Sequence, residues 1–374
     1  MLIGVPREIK QDEYRVGLTP TSVRELVHHG HQVLVQSNAG VGIGMSDAVY
    51  ARAGATIAAT AGDVYARPEM IVKVKELQAE EFSLVREGQV LFTYLHLAPD
   101  AEQTTQLLNA GVVAIGYETV TGPNHSLPLL SPMSEVAGRM AVQAGAHCLE
   151  HEAGGPGILL GGVPGVKAAN VVVLGGGVVG SNAIRVAIGM EAQVTVIDRA
   201  LPRLKELDFQ FGGRLNTIYS TVESIEHYVA EADLVIGAVL VPGATSPRLV
   251  SRAMVREMRD RSVIVDVAID QGGCFETSRP TTHSQPTFIE EGVVHYCVSN
   301  MPGAVARTST FALNNATLPY VLALADKGYR QALLDDPGLL DGLNIHAGKV
   351  TCEAVASALG HQYVAPRSLL VRSS

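Results

Sequence analysis

A glycine-rich turn directly after a run of apolar, mostly β-branched residues constrains the fold more than any other feature of the sequence. The run Asn170–Leu174 is followed by the segment GGGVVG, and the residues after it are typical of a helix. Gly175 permits a tight turn, Gly177 lets a pyrophosphate approach the backbone, and Gly180 lets the helix pack closely on the strand. A helix that begins here points its positive dipole end at a phosphate. The pattern predicts a dinucleotide-binding βαβ unit; the alternative is a Gly-rich turn without a ligand.

An acidic residue at the end of the next apolar run favours NAD over NADP. Asp198 ends the run VTVID. A carboxylate in this position accepts hydrogen bonds from the ribose hydroxyls and repels a 2′-phosphate. Arg199 beside it leaves some use of NADP open.

Short apolar runs alternate with helical stretches along the whole chain, which is typical of parallel sheets covered by helices. The predicted strands lie at residues 2–5, 31–36, 70–75, 89–95, 112–118, 170–174, 193–197, 217–219, 234–238, 263–267 and 293–298. We therefore expect an α/β fold of two Rossmann-like doubly wound domains with a cleft between them. Residues 1–130 begin the substrate domain, residues 131–303 form the NAD-binding domain, and residues 304–374 are expected to be a helical segment, without strands, that returns to complete the first domain.

The composition excludes several classes of protein. Charged residues make up only 17% of the 374 residues, and 28 Lys plus Arg against 37 Asp plus Glu give a net charge of −9. Without a basic cluster, nucleic acids and anionic membranes are not expected partners, and the apolar runs are shorter than the ~20 residues of a spanning helix. The four scattered cysteines indicate reduced thiols in a cytoplasmic protein and no zinc site. The low charge fraction agrees with an oligomer.

Four polar side chains stand at strand ends or in loops of the first domain. Arg15 suits a substrate carboxylate, although a solvated loop arginine fits equally well. Lys75 suits a carbonyl or carboxylate, although lysines at strand ends are usually only solvated. His96 suits general acid–base chemistry, because an imidazole ordinarily titrates at about pH 6.5; a buried, hydrogen-bonded histidine is the alternative. Glu118 either orients one of these groups or caps a strand.

Two later strand ends are expected to face the dinucleotide, because ligands lie at the carboxyl ends of strands in open α/β sheets. One carries Val239 and Leu240, and the other carries Val267 and Asp270. Asp270 directly follows an apolar strand and is well placed for proton chemistry. Ordinary strand termination by Pro and Gly is the alternative at both places.

Long segments of the chain closely resemble the alanine dehydrogenases, and they occur in the same order. The resemblance covers nearly the whole chain and weakens after about Lys327. The related transhydrogenase NAD-binding subunits share the architecture but do not combine His96 with the segment AIDQGG as this chain does. The segments that carry the resemblance are VPREIKQDEYRVGLTP, KVKE, LFTYLHLAP, PMSEVAGRMAVQAGA, GGVPGV, VVVLGGGVVG, DLVIGAVLVPG, DVAIDQGGCFETSRPTTHSQPTF and YCVSNMPGAVARTSTFALNNATLPY.

The resemblance implies a role for each matching residue. Arg15 and Lys75 match the family's ligands for the substrate carboxylate and carbonyl, His96 matches its acid–base group, and Asp270 matches its second catalytic residue. No magnesium is expected, because a Glu and His pair of some relatives is replaced here by Ala323 and Lys327. Together with the glycine turn, the expected NAD contacts are Ser134, Gly175, Gly177, Val178, Val179, Gly180, Asp198, Arg203, Ser220, Val239, Leu240, Val267, Asn300 and Met301.

The resemblance also implies the reaction and the assembly. L-alanine, NAD and water would give pyruvate, ammonium and NADH: hydride leaves Cα, a water activated by His96 or Asp270 adds to iminopyruvate, and the carbinolamine collapses. Family members typically form hexamers, so a homohexamer is expected. The alternatives are a related amino-acid or imine dehydrogenase with another substrate, and an NAD-binding sensor without catalysis.

Overall fold

The structure is a computed structural model that describes residues 1–239 and 246–371. The strands of the described residues are β1 (Leu2–Val5), β2 (Gln32–Gln36), β3 (Thr56–Ala58), β4 (Met70–Val72), β5 (Val90–Thr93), β6 (Val113–Gly116), β7 (Asn170–Leu174), β8 (Gln193–Asp198), β9 (Leu215–Tyr219), β10 (Leu234–Gly237), β11 (Val263–Asp266), β12 (Thr287–Glu290), β13 (Val293–Tyr296), β14 (Leu343–His346) and β15 (Lys349–Val350).

The α-helices of the same residues are α1 (Pro20–His28), α2 (Asp47–Arg52), α3 (Ala61–Ala66), α4 (Ala101–Ala110), α5 (Ser131–Cys148), α6 (Val178–Gly189), α7 (Leu201–Phe211), α8 (Val222–Ala230), α9 (Arg252–Arg256), α10 (Ala306–Lys327), α11 (Tyr329–Asp335), α12 (Pro337–Asp341), α13 (Glu353–Leu359) and α14 (Pro366–Leu370). Short 3₁₀ turns lie at Val41–Ile43, Ala79–Glu81, Tyr117–Thr119, Pro123–His125, His151–Ala153, Gly212–Arg214, Val267–Gln271 and Met301–Val305.

The chain divides into two compact units. Unit 1 consists of Met1–Met133 and Val305–Ser374, and unit 2 consists of Ser134–Ala304. Each unit contains one mainly parallel sheet with helices in its connections, so the predicted α/β fold with two wound sheets is confirmed. The cleft and the roles assigned to the two domains stay predictions.

The sheet of unit 1 has the strand order β15-β14-β6-β5-β4-β1-β2-β3. Strands β1 to β6 are parallel. The order reverses between the neighbours β1 and β4, which is where open α/β sheets bind their ligands. Because the strands are parallel, the loops after β1, β4, β5 and β6 leave the sheet at the same edge.

The sheet of unit 2 has the order β12-β13-β11-β10-β7-β8-β9, and only β12 runs antiparallel to its neighbour. The central strands are buried, which explains their runs of β-branched residues. Val172 pairs with Val235, and Val235 pairs with Ile264, and all three lie in one hydrophobic core. The order reverses between β7 and β10, so the glycine turn after β7 lies at this point of the sheet.

The prediction that the C-terminal segment holds no strands is wrong. β14 pairs antiparallel with β6, and β15 pairs with β14. The buried Asn344 donates hydrogen bonds to Thr119 Oγ1 at 2.7 Å and to the Gly342 carbonyl at 2.8 Å. Such short strands owe their stability to pairing with an existing sheet edge, so their own sequence shows no clear alternation. The short strand β3 and the edge strand β12 were missed for the same reason.

In unit 1, a buried ammonium group contacts two carboxylates near the ends of β1 and β4. Lys73 Nζ lies 2.8 Å from Glu81 Oε1 and 3.2 Å from Glu8 Oε2, and all three residues are buried. The Tyr65 hydroxyl donates to Glu81 at 2.7 Å, and the Val74 N–H donates to Glu8 at 2.7 Å. Burial raises the pKa of Glu8 although the Lys73 charge opposes this effect. These contacts offset the cost of removing the charges from water.

Lys73→Met leaves the two buried carboxylates without their cation. We expect the free energy of unfolding to fall by about 3–5 kcal/mol at pH 7.5. The difference in unfolding free energy between the variant and the wild type becomes smaller at pH 5, because protonation of the Glu8 carboxyl removes one of the uncompensated charges. Urea unfolding at both pH values measures this, with the exposed Lys349→Met as control; equal stability of Lys73→Met and the wild type would contradict it.

Candidate functional site

The four polar residues that the sequence singles out in unit 1 follow neighbouring parallel strands. Arg15 lies in the loop after β1, Lys75 follows β4, His96 follows β5, and Glu118 lies in the 3₁₀ turn after β6. Those strands are adjacent in the order β6-β5-β4-β1. The structure therefore brings the four residues to one edge of the sheet.

Arg15 is buried and paired with an acidic residue that the sequence analysis did not identify. Its Nε and Nη2 groups donate to the two oxygens of Glu13 at 2.7 and 2.6 Å, and Nη1 lies 3.1 Å from Met133 Sδ. Burial alone would lower the pKa of Arg15, but the bonds to Glu13 raise it above its usual range. The same pair lowers the pKa of Glu13 although burial opposes this. The solvated loop arginine, one of the two alternatives, is therefore wrong, and the guanidinium plane is set by a bidentate pair.

Lys75 is half-buried and shares the charge environment of Arg15. Burial lowers its pKa, and the positive charge of Arg15 lowers it further. The Thr93 hydroxyl donates to the Lys75 carbonyl at 2.9 Å, which ties the end of β5 to the loop after β4. A cationic amine with a lowered pKa is suited to binding a carboxylate or to giving a proton to a carbonyl.

His96 has an exposed imidazole on a backbone in the left-handed region, with φ of +48°. Its ring is nearly parallel to that of Tyr94, with 5.9 Å between the ring centres. Tyr94 is buried, its hydroxyl donates to the Leu129 carbonyl at 2.6 Å, and burial raises its pKa. The buried-histidine alternative is therefore wrong. An exposed imidazole on a fixed aromatic support is suited to exchange protons with a ligand.

In the glycine turn of unit 2, the backbone conformation and the space around each glycine agree with the task predicted for it. Gly175 has φ of +96°. A Cβ at Gly180 would lie 1.9 Å from the Gly175 carbonyl oxygen, so only glycine lets α6 pack this closely on β7. A Cβ at Gly177 would meet none of the described atoms within 4 Å, so the backbone there is open. Gly177 precedes α6, and no described side chain caps that helix start. The turn therefore fits a pyrophosphate.

Asp198 and Arg203 hold this turn. The Asp198 carboxylate accepts from the Gly176 N–H at 2.7 Å and from the Ala200 N–H at 2.8 Å. Arg203 donates through Nε to the Gly176 carbonyl at 2.6 Å and through Nη2 to the Ser181 hydroxyl. Both predicted cofactor residues therefore also have a structural task, since they orient the backbone of the glycine turn.

The turn after β11 depends on an acidic residue that sequence reasoning missed. Asp266 is fully buried and accepts from the Ala268 N–H at 3.1 Å and from the Cys274 N–H at 2.9 Å. Burial raises its pKa to about 6 against these hydrogen bonds. The signal that identified Asp198, an acidic residue closing an apolar strand, could have found it. The predicted strand over residues 263–267 instead ends at Asp266, and Val267 begins the 3₁₀ turn.

The remaining predicted residues of unit 2 differ in exposure. Asp270 is exposed, and its carboxylate accepts from the Asn300 N–H at 3.4 Å. Leu240 lies outside the described residues. Of the others, Val178 is exposed, Val179 and Met301 are buried, and Ser134, Ser220, Val239 and Val267 are half-buried.

No group of three or more His, Cys, Asp or Glu in residues 1–239 and 246–371 is arranged to hold a metal ion. Within the same residues, none of the helices combines the length and the apolar character needed to cross a membrane.

Two family descriptions match the chain. Residues 4–137 match "Alanine dehydrogenase/PNT, N-terminal domain", and residues 141–353 match "Alanine dehydrogenase/PNT, C-terminal domain". These segments include every residue predicted for the site.

Individual proteins match over nearly their full length. The chain is 59% identical to an alanine dehydrogenase of Halomonas elongata, over 99% of this chain and 100% of the relative. It is 51% identical to an alanine dehydrogenase of Mycobacterium tuberculosis, again over 99% and 100%. A solved structure titled L-alanine dehydrogenase superposes with a TM-score of 0.94 at 54% identity, over 96% of this chain and 99% of that one. The resemblance stated from the sequence is confirmed.

Two glycine variants separate packing from ligand binding. Gly180→Ala forces a Cβ against a backbone oxygen, and we expect it to destabilise unit 2 by about 1–3 kcal/mol or more. Gly177→Ala adds a Cβ in open space, so its melting temperature stays that of the wild type while NADH binding weakens. Thermal unfolding measures the stability of both variants, and fluorescence titration measures their affinity for NADH. A Gly180→Ala protein as stable as the wild type would contradict the packing argument. An unchanged NADH affinity of Gly177→Ala would contradict the binding argument.

Asp266→Asn removes a pH dependence of stability. Because the folded state raises this pKa to about 6, the ionised form is disfavoured by folding, and the wild type gains stability as the pH falls from 7.5 to 4.5. The gain relative to Asp266→Asn is about 2 kcal/mol. Urea unfolding of both proteins across this range measures it. If the stability of the two proteins changed with pH in the same way, ionisation of Asp266 would not be the cause of the pH dependence.

Proposed function

The chain belongs to the alanine dehydrogenase/PNT family, and we propose that it catalyses the reversible oxidative deamination of L-alanine by NAD. L-alanine, NAD⁺ and water give pyruvate, ammonium, NADH and a proton. The observation that carries the proposal is the edge of unit 1, where Arg15, Lys75 and His96 follow neighbouring strands. The identity of 51–59% to alanine dehydrogenases over nearly the whole chain supports it.

Arg15 and Lys75 bind and orient the substrate in this proposal. Glu13 fixes the guanidinium plane of Arg15 before any ligand arrives, so little reorganisation opposes binding of a carboxylate. Lys75 adds a second cation beside it and polarises the carbonyl oxygen of pyruvate. Two neighbouring cations favour 2-oxo acids over neutral carbonyl compounds.

His96 and Asp270 move the protons. In the direction of deamination, the amine of alanine must be neutral, and a base must then activate the water that adds to iminopyruvate. The exposed imidazole of His96 accepts and returns such protons, and Asp270 is the second group for the water and ammonia steps. Both side chains are accessible to solvent, as exchange of protons with water requires.

The glycine turn of unit 2 binds the dinucleotide in this proposal. NAD, when bound, accepts the hydride of Cα, and NADH returns it. Gly175, Gly177 and Gly180 shape the turn for the pyrophosphate, and Asp198 stands at the end of β8 for the ribose hydroxyls. The other contacts are the residues predicted from the resemblance, Ser134, Val178, Val179, Arg203, Ser220, Val239, Leu240, Val267, Asn300 and Met301.

We further propose a cytoplasmic homohexamer. The four cysteines are unpaired, as in a reducing compartment. Apolar side chains of the segment 159–166 are exposed in unit 2, with 66% of Leu159, 53% of Val163 and 64% of Val166 accessible. Burial of such side chains against another copy would stabilise an oligomer. Light scattering should give the mass of six chains, and a monomer at micromolar concentration would contradict this.

The activity is tested by NADH consumption with pyruvate and ammonium, omitting each component in turn. We expect oxidation only in the complete mixture and a loss of turnover on the order of 10³-fold in His96→Ala and Asp270→Asn, with NADH still bound. The exposed residues changed in His361→Ala and Asp208→Asn serve as controls. Faster turnover with a larger 2-oxo acid would identify a related dehydrogenase, and NADH binding without turnover would identify a sensor.

A further inference from the structure

We propose that Glu118 is a positioning residue for His96, because it holds the backbone that carries the imidazole in an otherwise unfavourable conformation. The inference rests on the proposed role of His96 in proton transfer. From the sequence, Glu118 had two possible roles: to orient a neighbouring group or to cap a strand.

The carboxylate of Glu118 binds two successive backbone N–H groups. The His96 N–H donates to Oε1 at 2.7 Å, and the Leu95 N–H lies 3.1 and 3.2 Å from the two oxygens. This geometry is possible because β5 and β6 pair in parallel, with Thr93 opposite Gly116. Both loops therefore leave the sheet side by side.

These bonds support a strained residue. His96 has φ of +48°, and a residue with a Cβ in the left-handed region costs roughly 1–2 kcal/mol. Hydrogen bonds from N–H groups to a carboxylate are about twice as strong as those between neutral groups. They are sufficient to hold this conformation. Without them, relaxation of the backbone towards negative φ would turn the imidazole away from the edge of the sheet.

Glu118 is itself held by its surroundings. A Cβ at Gly116 would lie 3.3 Å from Glu118 Oε2 and 2.9 Å from Asn344 Nδ2, so glycine leaves the space that the carboxylate uses. The Asn344 amide donates to Thr119 Oγ1 at 2.7 Å, within the turn that carries Glu118. The C-terminal strand β14 thus supports the turn, and the turn supports His96.

A plain strand cap and a positioning residue differ in what they change. A cap contributes to stability only, so its loss lowers the melting temperature and leaves the turnover of the folded enzyme unchanged. A residue that aims the imidazole contributes to the reaction, so its loss lowers kcat while NADH affinity is kept.

The experiment compares Glu118→Gln with the wild type, with Glu102→Gln as a control for an exposed carboxylate of the same unit. We expect kcat for pyruvate and ammonium to fall on the order of 10- to 100-fold, because small misplacements of a catalytic group cost this much. The KM for NADH and the Kd for NADH should remain those of the wild type. Amide hydrogen exchange of the peptide over residues 93–97 should become faster. If Glu118→Gln does not fold, Glu118→Asp, whose shorter chain cannot reach both N–H groups, takes its place with the same expectations.

A kcat equal to that of the wild type would overturn the inference, and so would equal losses of kcat and NADH affinity together with a lower melting temperature. Wild type and His96→Ala are assayed beside the variants. An inactive wild type or an active His96→Ala protein would refute the proposed function. An active wild type, an inactive His96→Ala and a fully active Glu118→Gln would refute only the role of Glu118.

Discussion

Parallel strands end at a common edge of their sheet, and the site proposed in unit 1 depends on this constraint. The loops after four neighbouring strands deliver Arg15, Lys75, His96 and Glu118 to that edge. Two neighbouring cations repel each other. Burial lowers the pKa of Lys75, and the positive charge of Arg15 lowers it further. The fold compensates with carboxylates that contact the cations or their backbone: Glu13 pairs with Arg15, and Glu8 accepts from the Lys75 N–H at 3.4 Å.

In the proposed site, hydrogen bonds therefore orient two of the groups before a ligand binds. Arg15 is fixed by a bidentate pair, and the backbone of His96 is fixed by Glu118. Charges that are oriented before binding stabilise a reacting ligand without the reorganisation that water requires. In unit 2 the same principle applies to backbone groups, since Asp198 and Arg203 hold the glycine turn.

Local patterns predicted the features that depend on local sequence. The glycine turn, the strands around it and most polar residues after apolar runs were identified, because a tight turn and a strand end each need particular residues in consecutive positions. Asp266, which closes β11 in the same way, was missed. The roles proposed for those residues stay predictions. Long-range pairing was not visible. Nothing in the segment of β14 and β15 indicates that it extends the first sheet, and nothing near Glu8 or Lys73 shows that these charged side chains are buried. Whether Arg15 is solvated or buried likewise depends on Glu13 and Met133, and the second of these is distant in sequence.

In the proposed reaction, ammonium supplies the nitrogen, and the hydride of NADH reaches C2 of the iminopyruvate that forms from pyruvate. The most direct measurement supplies NADH deuterated at both C4 positions, together with pyruvate and ammonium, and analyses the product by mass spectrometry. We expect L-alanine that carries deuterium at Cα. Unlabelled alanine, whose Cα hydrogen comes from solvent, or deuterated lactate without nitrogen would contradict it.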